Sequence, residues 1–215
     1  MSAPAVMRWF LASGNAHKVA ELRALAAVSG LPITIHSARE AGGMPPVVED
    51  SGTFRGNAGK KARALLAVLP PGAWALADDS GVCVDALDGA PGVESAYYAG
   101  PQGDPAANLR KLVEQLREVP KERRRAAFHC VLVLVGTSHP VRSFAGICPG
   151  TLRETPAGGA GFGYDPLFVP EGETRTFAEM PEGEKNQLSH RARAWTELAT
   201  YLRTLVPGDA HRLQP

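Results

Sequence analysis

Residues 74–84 read Trp-Ala-Leu-Ala-Asp-Asp-Ser-Gly-Val-Cys-Val, two short apolar runs with a pair of carboxylates between them. The run before Asp78 reads as a buried strand, with the acidic pair at its end. An ionised carboxylate in a low-dielectric site must be paired, hydrogen-bonded or metal-bound. Any fold of this chain therefore has to bring compensating charge to Asp78 and Asp79. Four other stretches are unusual: the Gly/Asn/Lys segment near residue 15, Glu49 with the helix after it, Gly161 to Asp165, and Lys185 to Arg191. They make sense together if they converge on the pair with a metal ion and a polyphosphate between them.

The bulk properties limit the alternatives. A chain of 215 residues can bury a sizeable core, in one domain or in two lobes sharing one sheet. A net charge of +1 argues against bulk attraction to nucleic acid or to a membrane surface. No apolar run reaches the roughly 18 residues of a spanning helix, and Met1 to Val6 lacks the layout of a signal peptide. Cys83, Cys130 and Cys148 are far apart, and they read as buried thiols of a reducing, cytoplasmic compartment. No Cys-x-x-Cys or His-x-x-x-His spacing suggests zinc.

Taken in order, Arg8 to Ala12 reads as a strand and Ser13-Gly14-Asn15 as a turn, with Asn15 or Ser13 as the cap of the next helix. Val19, Leu22, Leu25 and Ala26 fall on one face of that helix. A strand, a Gly/Asn turn and a helix N-terminus together make an anion site, and Lys18 adds a charge one turn in. Leu31 to His36 is a second strand. A helix over about 53–69 places Asn57 and Lys61 on a shared face. Gly56 to Lys61 imitates a P-loop but fails, because Phe54 stands where the first Gly belongs and Lys61 where Ser or Thr should follow the lysine. Asp104-Pro105 opens another helix, and Pro120 to Arg125 reads as a charged, solvated connector. Ala126 to Val135 reads as a central buried strand with His129 as a core histidine, and Val141 to Cys148 as its antiparallel partner. Gly161-Phe162-Gly163-Tyr164-Asp165-Pro166 exposes an aromatic face between glycines, suited to stacking on a planar base. Glu179 to Gln187 is polar. Ser189 caps a last helix carrying Trp195, Leu198, Ala199, Leu202 and Leu205, and residues 208–215 form a frayed tail after a single domain over 1–207.

The polar singletons share one logic. Glu49, Asp78 and Asp79 suit Mg²⁺, which prefers carboxylate and water oxygens. Lys18, Lys61, Lys185 and Arg191 supply positive charge for a triphosphate. Phe162 offers a stacking face, and Asp165, His190 and Arg191 offer hydrogen bonds to a base edge. On these segments, which run in order over nearly the whole chain, the sequence resembles the inosine/xanthosine triphosphate pyrophosphatase family. The matching stretches are Ser13-Gly14-Asn15-x-x-Lys18, Glu49 with Phe54-x-x-Asn57-Ala58-x-x-Lys61-Ala62, Asp78-Asp79-Ser80-Gly81 with Asp85 to Val93, Gly161 to Phe168, and Ala178-Glu179 with Lys185-x-x-x-Ser189-His190-Arg191.

The resemblance implies an elongated two-lobed α/β fold around a long mixed β-sheet with flanking helices and an active-site cleft between the lobes. It implies a homodimer that requires Mg²⁺ and hydrolyses ITP, dITP and XTP to the monophosphate and pyrophosphate. It assigns substrate contacts to Ser13, Gly14, Asn15, Ala16, His17 and Lys18, to Ser80, to Phe162, Gly163, Tyr164 and Asp165, and to Lys185, His190 and Arg191. Lys61 joins them as a phosphate ligand. Asp79 becomes the general base and a metal ligand, with Glu49 near the metal. Two positions depart from the family pattern. Gly56 replaces an expected Glu, which would place more of the metal binding on Glu49 and Asp78, and Tyr97 replaces an expected Arg. Two other classes fit less well. A sensor that binds nucleotide without hydrolysis does not need carboxylates beside a polyphosphate, and a phosphotransferase lacks its phosphate loop.

Overall fold

The computed structural model describes residues 6–137 and 139–204. In these residues the chain forms strands β1 (Met7–Leu11), β2 (Ile33–Ser37), β3 (Trp74–Val84), β4 (Arg125–Gly136), β5 (Arg142–Leu152) and β6 (Phe168–Pro170). The helices are α1 (Ala16–Val28), α2 (Phe54–Leu66), α3 (Pro105–Gln115), α4 (Glu182–Leu188) and α5 (His190–Thr204). The strands make one mixed sheet in the order β2-β1-β3-β4-β5-β6. β1 is parallel to both β2 and β3, with Leu11 opposite Ser37 on one side and Leu76 on the other, while β5 and β6 are antiparallel. The α/β class expected from the sequence is the one observed.

The chain divides into two compact units. Among the described residues, the first comprises 6–79, 131–137, 139–145 and 194–204. Its core joins Phe10 and Ala12 of β1 with Ala75 and Ala77 of β3, Val133 and Val135 of β4, and Ala58, Ala62 and Leu65 of α2. Small residues on α2 let the helix lie close to the sheet. Because side chains alternate along a strand, Ala75, Ala77 and Asp79 share the α2 face of β3, while Leu76 and Asp78 share the opposite one. The second unit comprises residues 80–130 and 146–193. Its core joins Val82 and Val84 of β3, Leu112 and Leu116 of α3, Phe128 of β4, Cys148 and Leu152 of β5, and Tyr164, Phe168 and Phe177.

Both candidate caps of α1 are used. Asn15 Oδ1 accepts from the N–H groups of His17 and Lys18, and Ser13 Oγ accepts from Asn15 N–H. Asp104 caps α3 through Ala106 N–H, and Ser189 Oγ accepts from Ala192 N–H in the first turn of α5.

Several elements differ from the sequence reading. Asp78 and Asp79 lie inside β3 rather than at its end, since the strand runs on through Ser80 and Gly81 to Val84. Gly81 permits this, because a Cβ there would sit 2.2 Å from the Gly92 carbonyl and 2.3 Å from Ser95 Oγ. α2 ends at Leu66 because the next amides turn inward, Val68 N–H to the Leu65 carbonyl and Leu69 N–H to the Leu66 carbonyl. The polar stretch before Ser189 contains a short helix, α4, and Phe168–Pro170 is a strand with no period of its own in the sequence. Arg124 is buried rather than solvated: its guanidinium donates to the carbonyls of Val119, Arg153 and Leu116, which closes three chain segments over the end of α3. His129 is half-buried, and burial lowers its pKa. Leu205 and the tail lie outside the described residues.

Candidate active site

In the first unit the acidic pair is split by the pleat of β3. Asp78 accepts from Lys18 Nζ of α1 at 2.6 Å, with its own side chain fully buried. Asp79, on the other face, accepts through Oδ1 from Lys61 Nζ of α2 at 2.6 Å. The same ammonium donates to Glu49 Oε2 at 2.9 Å. Lys61 thus holds Glu49 and Asp79 on one side chain. Burial pulls the Lys61 pKa down, but Asp79 and Glu49 more than offset this and leave it above its ordinary value.

Asp79 carries the strongest sign of an unfilled role. Its Oδ2 is buried and has no hydrogen-bond partner. Burial pushes its pKa up to about 6, against the opposing pull of Lys61 and Lys18, and Glu49 adds to the rise. An orphaned buried carboxylate oxygen costs free energy unless something occupies it. Oδ2 with Glu49 forms a hard-oxygen donor set, which fits Mg²⁺: that ion takes one or two carboxylates and completes its shell with water and substrate phosphate. Among the described residues no group of three or more His, Cys, Asp or Glu is placed to hold a metal, so a cation here would have to complete its shell in this way.

The loop carrying Glu49 is held from α2. Asn57 is buried, and its Oδ1 accepts from both the N–H (3.1 Å) and the Oγ (2.7 Å) of Ser51. Asn57 and Lys61 are four residues apart on the helix, so one residue fixes the loop and the other fixes its carboxylate. Ser51 also accounts for Gly56, where a Cβ would meet Ser51 Oγ at 2.3 Å. A side chain at that position would require Ser51 to shift. Asp78 is bound to Lys18 and lies on the face of β3 opposite Asp79.

In the second unit, Arg191 is buried in the first turn of α5 and its Nη2 donates to Ser80 Oγ at 3.1 Å. The Arg191 Cζ lies 5.9 Å from the centre of the Phe162 ring. Lys185 Nζ lies 4.9 Å from the same ring and donates to Asp165 Oδ2 at 2.7 Å. His190 stacks on Phe128 with centroids 4.7 Å apart and planes 10° from parallel. Gly161 and Gly163 both have positive φ, +73° and +63°, which turns the chain tightly on either side of Phe162.

In the first unit the structure pairs Lys18 with Asp78 on one face of β3 and joins Lys61, Glu49 and Asp79 on the other. It brings Ser80, Phe162, Asp165, Lys185 and Arg191 into one linked set in the second. Gly14, Asn15, Ala16 and His17 form an exposed turn at the start of α1. Tyr164 is different from the rest: it is buried, and its hydroxyl donates to the Ser95 carbonyl at 2.8 Å. Burial raises its pKa far above the phenolic range. Two residues that support the site, Ser95 and Asn108, escaped the sequence reading. Ser95 Oγ accepts from Val82 N–H and donates to the Gly92 carbonyl. Asn108 pins the same turn through Ala99 N–H and the carbonyls of Ser95 and Ala96. Asn57 was visible as a polar residue on the inner face of α2, although its partner, six residues upstream, was not.

Comparison with known proteins gives a consistent answer. The sequence model of the Ham1 family matches residues 9–201. A dITP/XTP pyrophosphatase of Opitutus terrae is 56% identical over 199 residues, 91% of this chain and 98% of that one. A dITP/XTP pyrophosphatase of Streptomyces coelicolor is 46% identical over 93% of this chain and 98% of its own length. Among solved structures, a HAM1 protein from Coxiella burnetii superposes with a TM-score of 0.80 at 36% identity, covering 92% of this chain and 99% of that one.

Proposed function

The chain belongs to the Ham1 family, and from that premise we propose that it is a nucleoside triphosphate pyrophosphohydrolase. It cleaves ITP, dITP and XTP to the monophosphate and pyrophosphate, and so removes non-canonical purines from the nucleotide pool. Relatives named dITP/XTP pyrophosphatase over nearly their whole length support this. The observation in the structure that carries it is the buried, unpartnered Oδ2 of Asp79 beside a lysine-bound Glu49.

In this reading Asp79 and Glu49 would hold Mg²⁺, which would offset phosphate charge and polarise the bond to be broken. The remaining steps belong to the chain. Asp79 accepts a proton from water as the water oxygen bonds to the α-phosphorus and the bond to the β-phosphate oxygen breaks. Lys61 keeps Asp79 oriented through Oδ1 and holds Glu49 on the same ammonium. Lys18, with the exposed turn from Ser13 to His17, and Lys185 neutralise the departing pyrophosphate. Phe162 stacks on the base. Gly163 allows the backbone to approach it, and Arg191 and His190 donate toward the O6 acceptor that hypoxanthine and xanthine present and adenine lacks. A donor set left unpaired by the wrong base discriminates by roughly 10⁴–10⁵. The enzyme works as a homodimer in the cytoplasm. Three free thiols, with Cys148 pushed by burial up to about 11, suit a reducing compartment.

A panel of nucleoside triphosphates with Mg²⁺ and a pyrophosphate readout tests the reading. It expects IMP, dIMP or XMP plus pyrophosphate from the three substrates and little from ATP. Release of orthophosphate in place of pyrophosphate, or no product at all, would refute it.

A further inference from the structure

Tyr164 belongs to the turn that carries Phe162, yet its ring is buried and its hydroxyl donates to the Ser95 carbonyl. We propose that Ser95 is a positioning residue for base recognition. It ties the Phe162 turn to the part of β3 that carries Ser80, and so fixes the stacking ring relative to the groups that read the base edge. The proposal rests on the reading above for what Phe162, Ser80 and Arg191 touch.

Ser95 is buried and is bonded through both its side chain and its backbone. Its Oγ accepts from Val82 N–H at 3.1 Å and donates to the Gly92 carbonyl at 2.6 Å. Its carbonyl accepts from the Tyr164 hydroxyl at 2.8 Å and from Asn108 Nδ2 at 3.3 Å. One residue therefore meets β3 with its hydroxyl and the aromatic turn with its carbonyl. On the β3 side the approach is close, since a Cβ on Gly81 would lie 2.3 Å from Ser95 Oγ. Gly81 and Val82 follow Ser80 directly, and Ser80 Oγ accepts from Arg191 Nη2 at 3.1 Å. On the other side the turn is bonded into one piece. Phe162 N–H donates to Asp165 Oδ2 at 2.8 Å, Asp165 N–H to the Phe162 carbonyl at 3.2 Å, and Leu167 N–H to the Tyr164 carbonyl at 3.0 Å. A shift of Tyr164 is therefore passed on to Phe162. The Arg191 Cζ, 5.9 Å from the centre of the Phe162 ring, completes the circuit from the stacking face back to Ser80.

The two kinds of base contact differ in what they demand. Stacking is tolerant, because every base has a π-face. Hydrogen bonds to a base edge weaken steeply once distance or angle leaves a narrow range. An edge is read on a stacked base only where the reading groups stand at a fixed offset from the stacking ring. Ser95 supplies that offset through neutral hydrogen bonds to both sides. Lys18 and Lys61 belong to the first unit, so a loss at Ser95 falls on the base and leaves the phosphate ligands there in place.

Two variants cut the tie at its two ends. Tyr164→Phe removes the hydroxyl and keeps the buried ring, and Ser95→Ala removes the bonds to Val82 and Gly92. Calorimetry on the full-length protein measures binding of IMP, which carries the base, and of pyrophosphate, which does not. The ratio of kcat/KM for ITP and ATP is measured alongside. Each variant is expected to weaken IMP binding at least about fivefold and to narrow the ITP:ATP ratio by a similar factor, with pyrophosphate binding changed by less than about twofold. The double variant should bind IMP little worse than the weaker of the two single variants, because both break one tie. Unchanged IMP binding by Tyr164→Phe overturns the proposal. Equal weakening of IMP and pyrophosphate also overturns it, since that is what mere structural support would give, and so does a double variant that multiplies the two single effects. Should Ser95→Ala not fold, Tyr164→Phe decides alone. If the wild type releases no pyrophosphate from ITP, yet binds IMP and loses that binding in Tyr164→Phe, the function is wrong and the tie stands. Absence of IMP binding by the wild type overturns both.

Discussion

Replacing Asp79 by Asn should stabilise the metal-free protein at neutral pH. The folded state holds this carboxyl at about 6, against an ordinary value of 3.8, and burial is the main cause. Between those values the folded chain keeps a proton that the unfolded chain has released. Stability therefore falls as pH rises through that window, and the penalty is complete above about 6. About two pKa units correspond to on the order of 3 kcal/mol. The substitution abolishes that penalty but weakens the bond to Lys61, which keeps Glu49 at 2.9 Å. A net gain of about 1–2 kcal/mol remains, or roughly 2–8 °C in Tm for a chain of this size. Thermal unfolding of Asp79→Asn and wild type in EDTA at pH 7.5 and pH 4 measures it. The gain should be present at pH 7.5, vanish at pH 4, and shrink when Mg²⁺ is added to both proteins at pH 7.5. Equal or lower stability of the variant at pH 7.5 in EDTA would refute the idea that Asp79 is a strained charge kept for a cation.

Lys18→Met should cost about 3 kcal/mol, because it removes the ammonium from a fully buried Asp78. Adding Asp78→Asn should restore most of the stability measured by urea unfolding, but not the activity. Asn57→Ala frees Ser51 and with it the loop carrying Glu49. A Mg²⁺ titration of pyrophosphate release should then show a midpoint raised several-fold, and an unchanged midpoint would separate the loop from the metal. Arg124→Lys keeps the charge but cannot reach three carbonyls at once, so urea unfolding should show a loss of about 2–4 kcal/mol.

The sequence made the strands and helices legible wherever one face repeats at a fixed period. α1, α3 and α5 and the apolar halves of β3 and β4 are of this kind. The acidic pair announced itself because charge within apolar surroundings demands partners. The sequence assigned Lys18 and Lys61 to a polyphosphate; in the structure they pair directly with Asp78 and Asp79. What could not be read was how the pair divides. That follows from the pleat, once β3 is known to continue through Ser80 and Gly81, and its continuation depends on the Gly92–Ser95 turn approaching a glycine. Arg124 was misjudged because it is a charged residue in a polar stretch whose partners, three carbonyls, leave no periodic trace. β6 and α4 are held by their neighbours and carry too little pattern of their own.

The central claim is that Asp79 activates water for attack on the α-phosphorus. Single-turnover hydrolysis of ITP by Asp79→Asn with Mg²⁺, alongside equilibrium binding of the nucleotide, tests it most directly. The account predicts that pyrophosphate release falls by at least about two orders of magnitude while ITP still binds. Release near the wild-type rate would contradict it.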